Sequence, residues 1–144
     1  MERLWLLPAV LAGALQPVIW GMNLRMDRNT GPVEAATVLH VVGALTGLVF
    51  WFSGLRGQGF SGLSGVPAWA WFGGAVGLSC MAMVTRAMPV LGAATTLAVM
   101  VAAQFSASIL CEHYGWLGLE VRAATLSRVL GAALLALGAW LVSR

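Results

Sequence analysis

The sequence contains no lysine, and only 9% of its residues are charged, whereas a soluble domain of this size carries roughly 25%. That shortage excludes both an ordinary water-soluble globule and a charge-rich disordered chain. Cysteine is scarce as well. Cys80 and Cys111 fall within or at the edge of apolar runs, so they read as free, packed thiols, not as a disulfide framework. The two histidines, His40 and His113, do not combine with Glu34 and Glu112 at metal-ligand spacing, so no metal is expected. No Ser/His/Asp set or paired carboxylates fall at matching depth, which argues against an intramembrane enzyme. No Lys-Ser/Thr follows the glycines of "GLRGQG", so that stretch is not a phosphate loop. The net charge of +3 is spread along the chain without a basic patch, which argues against nucleic acid as a partner. No cofactor is expected.

What the chain has in abundance is apolar sequence, with 60% hydrophobic residues and 18 glycines in 144 residues. About 20 apolar residues cross a hydrocarbon core of roughly 30 Å. Five such runs occur, at about 4–24, 33–53, 67–87, 90–111 and 126–143. They predict an all-α, polytopic membrane protein with one five-helix domain over 1–144. The connections are "RMDRNTGP", the glycine-rich "GLRGQGFSGLSGV", the short "AMPVLG" and "EHYGWLGLEVRAAT". Pro32, Pro67 and Pro89 fall at or near expected helix starts, where a missing N–H costs little. The first run resembles a signal peptide in its apolar core, but Glu2 offsets Arg3 in the n-region, so retention is expected.

Positive charge orients membrane helices, because arginine is retained on the cytoplasmic side. With five spans, the N-terminal side carries Arg3, Arg56, Arg122 and Arg128, and the opposite side carries Arg25, Arg28, Arg86 and Arg144. Four face four. Either a complex or insertase fixes the orientation despite this balance, or copies insert both ways. Because the helix number is odd, two inverted copies form a ten-helix antiparallel homodimer, an architecture shared with inverted-repeat transporters.

Small residues allow close helix packing in lipid. Gly43 and Gly47, and Gly73 and Gly77, have the four-residue spacing. On the fourth helix, Ala94, Ala98, Ala102 and Ser106 form a small-residue ridge suited to dimer packing. Thr96, Met100, Gln104 and Ser108 recur two positions later, about 200° around the helix. Polar groups at depth also include Gln16, followed by the helix-kinking Pro17. Trp20 and Asn23 continue the face of Gln16, and His40 lies on the second helix. Inverting one copy brings Gln104 to the level of Gln16 and His40 of the other, which suggests a composite substrate site at midmembrane. The plainer readings are interhelical hydrogen bonds for the glutamines and His40, and an aromatic-belt position for Trp20.

"LGAATTLAVMVAAQ" followed by "EHYGWLG", then "RVLGAALLALGAWLV", with "QPVIWGMNLRM" and "VPAWAWFGGAVG" before them, resemble the YdcZ-type family of five-helix half-transporters in the drug/metabolite transporter superfamily. The likeness covers nearly the whole chain. It implies a dimerising half-transporter in the bacterial inner membrane, with Gln16, Asn23 and Gln104 at motif positions. His40 departs from the apolar or aromatic residue expected there. The related small multidrug resistance exporters rely on a glutamate in the first helix, which this chain lacks beyond Glu2. Glu34 and Glu112 lie at helix ends. A neutral, polar and aromatic site is therefore expected, for a small amphipathic or polar organic solute, with the lipid bilayer and a second copy as the other partners. The competing reading is a non-transporting structural or assembly subunit of a membrane complex.

Overall fold

The computed structural model describes residues 6–55 and 59–144; Glu2, Arg3, Trp5 and Arg56 lie outside them. The described residues are helical in five main elements: α1 (Leu6–Thr30), α2 (Pro32–Phe52), α3 (Gly73–Leu91), α4 (Ala93–Tyr114) and α5 (Leu126–Val142). Short 3-10 turns occupy Phe60–Gly65, Ala68–Phe72 and Trp116–Gly118. Among the described residues, four stretches are long and apolar enough to span a bilayer: α1, α2, Ala68–Leu91 and α4. The apolar α5 is shorter, at 17 residues. The chain divides into two compact units, residues 1–86 and 87–144.

In the first unit, α1 and α2 form a hairpin. The stretch from Arg25 to Thr30, expected as a loop, is instead the last turn and a half of α1. It is polar but contains no helix breaker, so its polarity marks depth and not the end of a helix. The break is confined to Gly31, whose φ of 111° belongs to the region glycine reaches without a Cβ clash. Its N–H bonds the Asp27 carbonyl at 2.9 Å, and its own carbonyl accepts from Ala35 N–H at 3.0 Å. Pro32 follows at the first position of α2, as expected. Ala35 and Ala36 are fully buried beside this turn. Pro17 lies inside α1, which continues through it to Thr30.

The third span opens as the 3-10 turn Ala68–Phe72, becomes α-helical at Gly73 and ends at Leu91. Pro89, expected near the start of the fourth helix, lies in the last turns of α3. Proline removes one bond, to the carbonyl of Thr85, but the helix has only two residues left to run. Gly92, at φ 82°, makes the actual break.

In the second unit, α4 and α5 form an antiparallel hairpin. Positions 95, 98, 102, 105, 109 and 112 of α4 alternate spacings of three and four, the period of a packing seam. Thr95 Oγ1 donates to the Val142 carbonyl at 3.3 Å. A Cβ built on Gly131 would stand 3.7 Å from Phe105. Ala102, Ile109 and Ala139 are buried. At the other end, Arg128 pairs with Glu112 and also donates to the carbonyls of Arg122 and Ala123 at 3.3 Å. The Arg122 N–H in turn bonds the Glu112 carbonyl at 3.0 Å. Glu112 is thus a structural anchor at a helix end.

Candidate functional site

The polar face of α1 is built by spacing alone. Gln16, Trp20 and Asn23 are separated by four and three residues, so they share one stripe of the helix. The Trp20 indole N–H donates to Gln16 Oε1 at 2.6 Å. That bond uses the carbonyl end of the Gln16 side chain and leaves its NH2 group as the available donor. Gln16 is exposed, Trp20 is buried at 6% and Asn23 is completely buried.

Asn23 reaches α3. Its Nδ2 donates to Thr85 Oγ1 at 2.6 Å, while the Thr85 hydroxyl donates to the Met81 carbonyl at 2.8 Å. A hydroxyl has one hydrogen, so Thr85 must act as acceptor toward Asn23, and the amide orientation is fixed by that requirement. Asn23 Oδ1 then faces the interior without a partner. Nearly all buried polar groups have one, and an unsatisfied acceptor costs about 1–3 kcal/mol.

His40 presents a second acceptor. Its Nδ1 lies 2.8 Å from the Ala36 carbonyl, which only accepts, so Nδ1 carries the hydrogen. In the neutral ring, Nε2 is therefore the lone-pair nitrogen. It lies beside Gly77 of α3, 3.3 Å from where a Cβ on that glycine would stand. Gly77 gives the imidazole its space. Counted along the backbone, Asn23 is eight residues before Gly31 and His40 nine after it, both about 12–14 Å from the turn at 1.5 Å per residue.

In the second unit, Thr96 is buried and its hydroxyl bonds the Gly92 carbonyl at 2.8 Å. Met100 is half-buried, whereas Gln104 and Ser108 are exposed. Gln104 stands midway along the 22-residue α4, and no hydrogen bond to its amide is present among the described residues. The small-residue ridge is divided. Ala102 is buried and Ala98 half-buried, both beside α5 residues such as Ala139. Ala94 and Ser106 are exposed, with the Ser106 hydroxyl returned to the Ala102 carbonyl at 2.9 Å.

Sequence reasoning missed Thr85, the partner of Asn23. Threonine is common in membrane helices, where its hydroxyl bonds the preceding turn, so its type alone carries no signal. Gly77 was marked for its spacing, not for the histidine it accommodates. Among the described residues, no three His, Cys, Asp or Glu side chains group as metal ligands.

Apolar helices of spanning length, with most of their large side chains turned outward and Asn23, Thr85 and Thr96 buried, describe a multi-pass membrane protein. A family model described as "Putative inner membrane exporter, YdcZ" matches residues 4–141. The chain belongs to the YdcZ family. It is accordingly a multi-pass inner-membrane protein of a transporter family, not of an enzyme family. No curated protein and no solved structure matches it.

Proposed function

We propose that this YdcZ-family chain is a dual-topology half-transporter of the drug/metabolite transporter superfamily, working as an antiparallel homodimer of ten helices. α5 serves as the fifth span, since 17 residues reach the short end of the spanning range of roughly 17–25. The dimer moves a small amphipathic or polar organic solute by alternating access through a midmembrane site. Gln16, Trp20, Asn23 and His40 of one copy and Thr96, Met100, Gln104 and Ser108 of the other contribute to it, Asn23 and Thr96 from the side of the Gly31 and Gly92 turns. Ala94 and Ser106, the exposed ends of the small-residue ridge, are available for packing between copies.

The observation that carries this reading is the Gln104 amide, exposed and unbonded at the centre of an apolar helix. Lipid chains offer it no donor or acceptor, so a second copy or a solute is its natural partner. The equal division of arginines between the two sides supports insertion in both directions. The absence of a carboxylate on the apolar part of the first helix fits a site that binds through neutral groups and aromatic surface.

The deciding experiment is efflux of a panel of fluorescent amphipathic solutes from proteoliposomes, with dimer crosslinking measured in parallel. We expect Gln104→Leu to remain dimeric and to lose at least about tenfold in apparent affinity for a transported probe, equivalent to 1.4 kcal/mol. A folded mutant with unchanged affinity would return Gln104 to the role of interhelical glue. Wild-type protein that moves no probe and crosslinks only to other membrane proteins would favour an assembly subunit.

A further inference from the structure

The exposed face of the α1–α2 hairpin carries an apolar groove of about 610 Å³. Gly21, Met22 and Met26 line it from α1, Val38 and Val42 from α2, and Arg25 is its charged residue. Gly21 leaves the floor open, with nothing within 4 Å of where its Cβ would stand.

Depth places the charge. Arg25 is six residues before Gly31, about 9 Å from the turn at 1.5 Å per residue. The polar end of α1, from Arg25 to Thr30, matches a headgroup layer of roughly 5–7 Å per side. Arg25 therefore stands where hydrocarbon meets phosphate, and the groove continues from it toward the hydrocarbon. Arg28, three residues on, lies on an adjacent face, while Asp27 is about 200° around the helix from Arg25. Glu34, one turn before Val38, turns its carboxylate back over Gly31. Neither Arg25 nor Arg28 has an ion-pair partner among the described residues, whose recorded pairs are Arg122–Glu120 and Arg128–Glu112.

We propose that this groove holds one acyl chain of an anionic phospholipid, with its phosphodiester on Arg25 and Arg28 adding favourable charge. The planar guanidinium binds phosphate oxygens through paired N–H groups. The apolar walls bury methylenes that a free phosphate ion does not have. This site is distinct from the midmembrane solute site and does not depend on it.

The test uses full-length, delipidated protein in detergent, with binding followed by native mass spectrometry and thermal stability. The probes are phosphatidylglycerol, glycerol 3-phosphate (phosphate without chains) and dioleoylglycerol (chains without phosphate). Phosphatidylglycerol should bind and raise the melting temperature, whereas the other two should not. Arg25→Gln and Val42→Trp, which remove the charge and fill the groove respectively, should each weaken phosphatidylglycerol binding by about tenfold or more. Arg144→Gln should leave it unchanged. Equal binding of glycerol 3-phosphate, undiminished lipid binding in both groove variants, or crosslinks placing a second copy in the groove would overturn the proposal.

Discussion

The Asn23 amide donates to the Thr85 hydroxyl at 2.6 Å, joining α1 to α3 through two fully or almost fully buried polar side chains. The bond satisfies the NH2 end of asparagine and leaves its carbonyl unpaired. Thr85→Val keeps the shape but removes the acceptor, stranding both ends of the amide. We expect a loss of about 1–3 kcal/mol in reversible unfolding in detergent. Adding Asn23→Leu should recover part of that loss. A double variant as unstable as the sum of the singles would mean that the two residues act independently.

His40 and Gly77 make a second testable pair. A Cβ on Gly77 would lie 3.3 Å from Nε2, so Gly77→Ala requires only a small shift, whereas Gly77→Val forces the ring aside. Gly77→Val should destabilise by about 1–3 kcal/mol, as overpacking does. His40→Ala should relieve it, and thermal unfolding of the four-protein cycle provides the check. No relief from His40→Ala would place the clash elsewhere.

The split ridge of α4 separates folding from association. Ala102→Leu adds bulk where Ala102 is buried beside α5, so it should lower the melting temperature. Ala94→Leu adds bulk at an exposed site and should leave unfolding unchanged while reducing crosslinked dimer. Equal dimer yield for Ala94→Leu and wild type would remove Ala94 from the interface.

Topology is measured directly. With Cys80 and Cys111 replaced by alanine, Ser64→Cys in the segment between α2 and α3 should react with a membrane-impermeant maleimide from both sides in comparable amounts. Labelling from one side alone would exclude dual insertion and leave the transporter assignment standing.

The spans were legible because hydropathy reports burial in lipid directly. Helix ends were less so. Polarity from Arg25 to Thr30 suggested a loop, but those residues are helix-compatible, and only the backbone of Gly31 breaks the helix. Pro89 pointed to a helix start because proline is favoured there; two residues before the end of α3, its missing donor is equally tolerable. The stripe of Gln16, Trp20 and Asn23 was visible as periodicity, a local property of the sequence. Its completion by Thr85, 62 residues from Asn23, depends on tertiary packing, which no local pattern encodes. For the same reason, the spacing of Ala98 and Ala102 revealed a close-packing surface without revealing that α5 lies against it.

Gly31 also limits how the hairpin can move. A one-residue link has no slack, so α1 and α2 cannot slide past one another by a helical turn without breaking the bonds at Asp27 and Ala35. Their permitted relative motion is angular, like a pair of compasses hinged at one point. Any working stroke in this part of the molecule should splay the ends of α1 and α2 remote from Gly31 while the hinge stays nearly still. Spin labels should therefore show distance changes that grow steadily with separation from Gly31.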